Sequence, residues 1–240
     1  MPRFFSEDIG ETGAVIAGED ARHIARSLRM QMGEELTLCD MQGTDYRCVI
    51  TQMEPEAVHL DVLDKAPSKS EAACRIRLYQ ALPKGDKLEF IVQKATELGV
   101  AEIVPIITAR CISRPHVRTL EKKRERLQRI AYEAAKQSGR GLIPEILPTL
   151  SFSQAVHEMA DSELPILFYE ESSKPLRRIL RGNPDGISIM VGCEGGFTAR
   201  EVSEARDAGV YIASLGSRVL RCETAPICAL SAILFYLGEF

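Results

Sequence analysis

Gly192-Cys193-Glu194-Gly195-Gly196-Phe197 stands between a β-branched run, Ile187 to Val191, and a helical pattern opening at Thr198. A second glycine-hinged stretch, Leu215-Gly216-Ser217-Arg218-Val219-Leu220-Arg221-Cys222-Glu223-Thr224-Ala225, follows the run Val210 to Ala213 and precedes another helical pattern. A strand that ends in a loop and resumes as a helix is the repeating unit of an open α/β sheet. Ligands of such sheets sit beyond the carboxyl ends of the strands. Two loops of this kind predict one shared site. Glycines at 192, 195 and 196 let backbone approach a ligand and tolerate positive φ. The free amides of the helix that follows face the same space. A plain strand-to-helix turn is the simpler account, but three glycines around one glutamate exceed its needs. The spacing is not G-x-G-x-x-G, and no G-K-[ST] follows, so neither a dinucleotide fingerprint nor a phosphate loop is present. In the second loop Arg218, Arg221 and Glu223 stand among small and apolar residues. Arg and Glu are seldom buried unless paired. They read as a structural ion pair, as contacts to a polyanion or substrate, or as both.

Outward from these loops, the alternation continues. Thr198-Ala199-Arg200-Glu201 is a capping box, and its helix ends at Gly209. Val210 to Leu215 is a strand. Pro165 to Tyr169 and Ile187 to Val191 are buried strands. Earlier come a strand at Ile76 to Leu82 and a helix at Asp86 to Leu98. In that helix Leu88, Ile91, Val92, Ala95 and Leu98 form one stripe, and Gly99 gives the stop. Ala101 to Ile107 is a strand, and Thr119 to Ser138 a long basic helix closed by Gly139. Thr224 to Leu237, with Pro226 in its first turn, is apolar on all sides and is therefore expected to be buried. The pattern predicts a mostly parallel α/β sheet for residues 74–240.

Residues 1 to about 66 read differently. Glu34 to Asp40, Tyr46 to Met53 and Val58 to Leu63 are short β-rich runs separated by Gly33, Gln42-Gly43 and Glu54-Pro55-Glu56. A helix at Asp20 to Leu28 intervenes, with Ile24 and Leu28 sharing a face. This is a small β-barrel-like domain. Ala66-Pro67-Ser68-Lys69-Ser70-Glu71 has linker composition, which places the domains at 1–70 and 71–240.

The 240 residues are 45% hydrophobic, an ordinary globular composition. No apolar run is long enough to span a bilayer, and the start lacks a basic-then-apolar signal pattern. Seven scattered cysteines form no C-x-x-C pair, which argues against a zinc site or a thioredoxin-like motif and favours a reducing, cytoplasmic setting. No His and carboxylate spacing suits a metal. The net charge is −4, yet Arg110 to Arg140 holds ten Lys or Arg against three Glu. Such asymmetry suits a patch facing a polyanion, or equally a solvated helix face.

Five ordered blocks carry a specific resemblance. They are His23-Ile24-Ala25-Arg26-Ser27-Leu28-Arg29; Lys84-Gly85 with Glu89 and Lys94-Ala95-Thr96-Glu97-Leu98-Gly99-Val100; Glu133-Ala134-Ala135-Lys136-Gln137-Ser138-Gly139-Arg140; Gly192 to Phe197; and Leu215 to Ala225. Together they resemble the bacterial N3-methyltransferases that act on a uridine of 16S, small-subunit ribosomal RNA, within the SPOUT superfamily. Cys193 stands where that family usually has Pro, which removes a rigidifying ring but no polar group. The resemblance implies a PUA-like RNA-binding barrel followed by an α/β domain whose last helix threads back as a trefoil knot. It implies S-adenosylmethionine as methyl donor, bent into the knotted loops, and a homodimer with its site at the subunit interface.

The residues themselves suit such a donor. An adenine and a thioether need an apolar slot with backbone polar groups. Leu215, Val219, Leu220, Ala225, Pro226 and Ile227 are available to line it, with Gly192, Gly195, Gly196 and Gly216; Ile227 reads better as core. Phe168, Tyr169 and Glu170 end another strand and offer a third wall. A uracil N3 must lose its proton to attack a methyl group. Glu194 and Glu223 are the carboxylates available to take it, and Arg218 and Arg221 the cations available to stabilise charge on the uracil oxygens. Both glutamates equally suit tying down loop amides. RNA contacts are expected from Arg3, Arg22, Arg26 and Arg29 in the first domain, and from Lys84, Lys94, Arg114, Lys136, Gln137 and Arg140 in the second. A non-catalytic RNA-binding assembly factor of the same fold is the rival reading. A nucleotide-binding hydrolase ranks last, because it lacks a nucleophile elbow and a phosphate loop.

Overall fold

The computed structural model describes residues 1–112 and 115–239, which form two compact units. The first is Met1–Glu71 with Ala135–Ile143, and the second is Ala72–Ala134 with Pro144–Phe240. In the first unit, β1 (Arg3–Phe5), β2 (Gly13–Ala17), β3 (Glu35–Cys39), β4 (Thr44–Met53) and β5 (Ala57–Pro67) form a sheet in the order β1-β3-β4-β5-β2. All its pairs are antiparallel except β1 with β3. Phe4, Ile16, Ile24, Leu36, Leu38, Ile50, Val58 and Leu60 form its core. β5 continues through Pro67, so the segment with linker composition begins inside a strand. β1 and β2 are not legible in the sequence, being too short to establish an alternation.

The helix expected at Asp20 to Leu28 is shorter. α1 covers Gly18–Arg22 and continues as one π-helical turn at His23–Ser27, with Leu28 N donating to His23 O at 3.0 Å. Leu28 is the residue that ends this turn, and it is exposed while Ile24 is buried, so the two do not share a buried face.

The second unit is built on β6 (Arg75–Ala81), β7 (Glu102–Ile107), β8 (Glu145–Ile146), β9 (Leu150–Ser151), β10 (Leu164–Phe168), β11 (Gly186–Val191) and β12 (Tyr211–Ala213). Every pair is parallel, in the order β12-β10-β11-β6-β7-β8, with β9 also on β7. The central strands are buried along almost their whole length, as strands covered by helices on both faces must be. The helices are α2 (Lys87–Glu97), α3 (Val117–Ser138), α4 (Phe152–Ala160), α5 (Ala199–Asp207) and α6 (Thr224–Leu237). α5 has the expected capping box of Thr198 and Glu201. α4 has a second, of Ser151 and Gln154.

α6 departs from expectation. Pro226, Ala229, Leu230, Ile233 and Leu234 are buried, but Phe235 and Tyr236 are 76% and 44% exposed. One chain covers only one face of this apolar helix. β12 is also shorter than Val210 to Leu215, which leaves Leu215 free to line a cleft. Among the described residues no helix is long and apolar enough to cross a membrane.

Candidate active site

β10, β11 and β12 run in parallel, so their carboxyl ends lie at one edge of the sheet. The chain leaves them at Tyr169-Glu170, at Gly192 to Gly196 and at Ser214 to Cys222. These three segments line a cleft of about 390 Å³, with Lys87 of α2 and Ala225 of α6 completing it. A cleft of this size and place is of the kind that holds a small molecule.

The first loop is folded tightly. Gly196 N donates to Cys193 O at 2.9 Å. A Cβ on Gly192 would stand 3.0 Å from Gly196 Cα. Gly196 has φ +63°, in the left-handed region. A Cβ there would meet the Glu170 carboxylate at 2.7 Å, so this backbone is open to Glu170 only because the residue is glycine. Gly195 turns away from the cleft: its carbonyl accepts from Arg110 Nη1 at 2.6 Å. Cys193 is buried, with its thiol facing that of Cys111, which Thr108 Oγ1 approaches at 3.2 Å. The neighbouring thiols lower the Cys111 pKa and raise that of Cys193. A buried thiol thus packs the loop where the expected Pro would have stiffened it.

The carboxylates expected to act as bases are tied down. Glu194 Oε1 accepts from Lys87 Nζ at 2.9 Å and from the Lys84 amide at 3.1 Å. Lys87 Nζ also lies 3.5 Å from Glu223 Oε2 and 3.9 Å from Cys222 Sγ. Partial burial would raise the Glu194 carboxyl, but the Lys87 ammonium and the amides outweigh it and hold it below its ordinary value. The Glu223 carboxyl is lowered too: desolvation opposes, while the Cys222 thiol, the residue's own amide and Lys87 prevail. Burial, the Glu223 contact and nearby Glu194 push Cys222 up to about 12, so it is a neutral thiol. Arg218 and Arg221 line the cleft, are exposed, and make no ion pair among the described residues.

Phe168, Tyr169, Glu170, Gly192, Glu194, Gly196, Leu215, Gly216, Arg218, Val219, Leu220, Arg221 and Ala225 thus all meet at this cleft. Four expected residues do not line it. Gly195 faces Arg110, Pro226 is buried in α6, Ile227 is half-buried on α6 and joins neither the cleft nor the buried core, and Glu223 reaches the site only through Lys87 and Cys222. Lys87, Cys193, Ser214 and Cys222 line it without having been singled out for this cleft. The signal for Lys87 was its place in the first turn after Lys84-Gly85, but no helical stripe marks a residue that points away from the core.

The RNA methyltransferase domain model matches residues 70–234, and the RNA methyltransferase PUA domain model matches residues 16–63. The chain belongs to this RNA methyltransferase family. It is similar to the ribosomal RNA small subunit methyltransferase E of Bacillus subtilis, 36% identical over 227 residues covering 92% of this chain and 89% of the relative. The Synechocystis protein of that name is 33% identical over 95% of this chain and 74% of its own length. Among solved structures, the Neisseria gonorrhoeae ribosomal RNA small subunit methyltransferase E bound to S-adenosyl methionine superposes with a TM-score of 0.86, at 32% identity. That match covers 100% of this chain and 99% of the other. A Legionella pneumophila protein in complex with the same cofactor has a TM-score of 0.81, at 32% identity over 98% and 97% of the two chains.

In this RNA methyltransferase the expected RNA-contacting residues divide. Arg140 is a correction: it is 3% exposed, and its Nη2 donates to Glu71 Oε2 at 2.5 Å. The same carboxylate accepts the amides of Gly141 and Leu142 at 2.7 and 3.0 Å. Arg140 therefore holds the first unit together and presents no charge to a phosphate. Arg3 is on Asp45 at 2.5 Å, Arg22 on Glu56 at 2.6 Å, Lys136 on Asp20 at 2.7 Å, and Lys94 on Glu97 at 2.7 Å. Arg26, Arg29, Lys84 and Gln137 are exposed. Arg114 lies outside the described residues. On α3, Arg118, Lys122, Arg124 and Arg129 are exposed and form no ion pair among the described residues, whereas Arg126 is on Glu89 at 2.8 Å. Counting charges located this cationic helix, but singling out individual cations missed these exposed members of it.

Proposed function

We propose that this protein transfers a methyl group from S-adenosylmethionine to N3 of a uridine in the 16S RNA of the small ribosomal subunit. One observation carries the reading: a cleft of small-molecule size, walled by two glycine loops at the carboxyl ends of β10 to β12, that presents two exposed arginines. Full-length structural neighbours are described with S-adenosylmethionine bound. The cofactor fits the residues present. Gly216, with nothing within 4 Å of where a Cβ would stand, leaves backbone open at the cleft, and Phe168, Leu215, Val219, Leu220 and Ala225 offer apolar contact for an adenine and a thioether.

When bound, S-adenosylmethionine supplies an electrophilic methyl group on a positively charged sulfur. The chain's own residues then hold donor and acceptor in line, a contribution worth ~7–11 kcal/mol in favourable cases. Arg218 and Arg221 stabilise negative charge developing on the uracil oxygens. Glu194 and Glu223, ionised and held on Lys87, act as loop anchors, and the N3 proton leaves to solvent. RNA is drawn to the exposed cations of α3 and to Arg26, Arg29 and Lys84, while Gln137 is placed to hydrogen-bond a base or backbone. Residues 1–70 serve as the PUA-like RNA-binding domain, to whose compact unit Ala135–Ile143 also belong, and the rest of residues 71–240 as the methyltransferase domain with its threaded, knotted last segment.

The protein works as a homodimer in the cytoplasm. The uncovered face of α6, with Phe235 and Tyr236, and the 83% exposed Val219 at the cleft support a second copy packing there. Seven free cysteines suit a reducing compartment. Mass mapping of 16S RNA from cells lacking the protein tests the whole reading. Loss of one methyl from one uridine, restored by the wild-type gene, is expected; an unchanged methylation map overturns it.

A further inference from the structure

Lys87 opens α2, an element of neither glycine loop, yet its ammonium touches both. It lies 2.9 Å from Glu194 Oε1 on the first loop and 3.5 Å from Glu223 Oε2 at the start of α6. Among the described residues, Cys222 Sγ, at 3.9 Å, is the other titratable group that meets it. Lys84 sits nearby in the chain, but only its backbone amide meets Glu194. Without a cation between them, two carboxylates sharing one site disfavour each other's charge. The bridge is partly open to solvent, with Lys87 and Glu194 about one-third exposed, so its effect is positional more than energetic.

We propose that Lys87 is a positioning residue for the methyl-donor cleft: by holding Glu194 and Glu223 on one ammonium it sets the distance between the two loops that wall the site. This rests on the reading of the cleft as the S-adenosylmethionine site. Removing the ammonium leaves two anions facing each other. Above the carboxylate range they repel and the walls part. As the pH falls, one takes a proton, the repulsion disappears and the walls can close around a shared proton.

Calorimetry of the full-length protein with S-adenosylmethionine, from about pH 5.5 to about pH 8, tests this. Wild type should bind with nearly constant affinity across that range. Lys87→Met should bind about tenfold more weakly at the upper end, as coupled ionic networks permit, and recover as the pH falls. Lys87→Arg should stay near wild type. The double variant Lys87→Met/Glu223→Gln, which removes the repulsion, should regain most of the affinity at the upper end. It keeps the test decisive should the single variant fold poorly. Wild-type affinity in Lys87→Met at every pH, an equal loss at every pH, or no recovery in the double variant overturns the proposal. Failure of the wild type itself to bind S-adenosylmethionine would instead remove the donor-site reading on which it rests.

Discussion

The Glu170 carboxylate rests on the bare Cα of Gly196: its Oε1 and Oε2 lie 2.7 and 3.1 Å from where a Cβ would stand. The end of β10 and the loop after β11 therefore meet only because residue 196 has no side chain. Gly196→Ala adds left-handed strain of about 1–2 kcal/mol and drives Glu170 out of place. S-adenosylmethionine affinity should fall by about tenfold or more, with the circular dichroism spectrum unchanged. Undiminished binding would place the ligand away from this wall.

Arg221 lines the cleft and is exposed. If it stabilises charge on the uracil, Arg221→Ala should lower kcat by about 10²–10³. Donor affinity should change little, because the cation acts on the base. Single-turnover assays with 16S RNA, alongside calorimetry, separate the two effects. Normal kcat with weakened donor binding would reassign Arg221 to the donor.

Glu194 is held below its ordinary pKa of 4.5, so its charge and its tie to Lys87 are complete above that value. They are lost only as the pH falls through the lowered one. An ionised group with so low a pKa is a poor base near neutrality. Glu194→Ala should retain measurable methylation and show weaker donor binding, and wild-type binding should be flat from about pH 6 to 8. Complete inactivity with normal donor affinity would make Glu194 the base after all.

Arg124 and Arg140 should behave oppositely. Arg124 is exposed on α3, while Arg140 is buried on Glu71. Arg124→Ala should reduce the salt slope of RNA affinity by about 1 with no loss of stability. Arg140→Ala should lower the unfolding temperature, since breaking a buried pair costs ~3–5 kcal/mol, and leave the slope alone. The discriminating data are filter binding at several salt concentrations and thermal melts.

Phe235 is 76% exposed on an otherwise apolar helix. If a second copy covers it, Phe235→Asp should shift the sedimentation coefficient to that of a 26.6 kDa monomer. A wild type that already sediments as a monomer refutes the dimer.

The sequence foretold the sheet well where each strand is followed by an unambiguous punctuation. Gly99 ended one helix, the Thr198 and Glu201 box began another, and α6 was bounded correctly at Thr224 and Leu237. It foretold poorly where elements are very short, as with β1, or where a helix widens by one turn, as after Arg22. Such features depend on contacts made elsewhere in the chain. The glycine loops were legible as one site because backbone freedom is written in residue type. Lys87 was not, since it touches Glu194 and Glu223 across more than 100 residues of chain.

By itself, then, the order of residues determined the parallel α/β arrangement, the cleft's two glycine walls and the cationic stretch, because periodicity, glycine and charge are local properties. Only the tertiary structure decided which charges remain available. It paired Arg140 with Glu71 and bound Glu194 and Glu223 to Lys87, while leaving Arg218 and Arg221 open. Ion pairing depends on distance in space, and folding alone sets that distance.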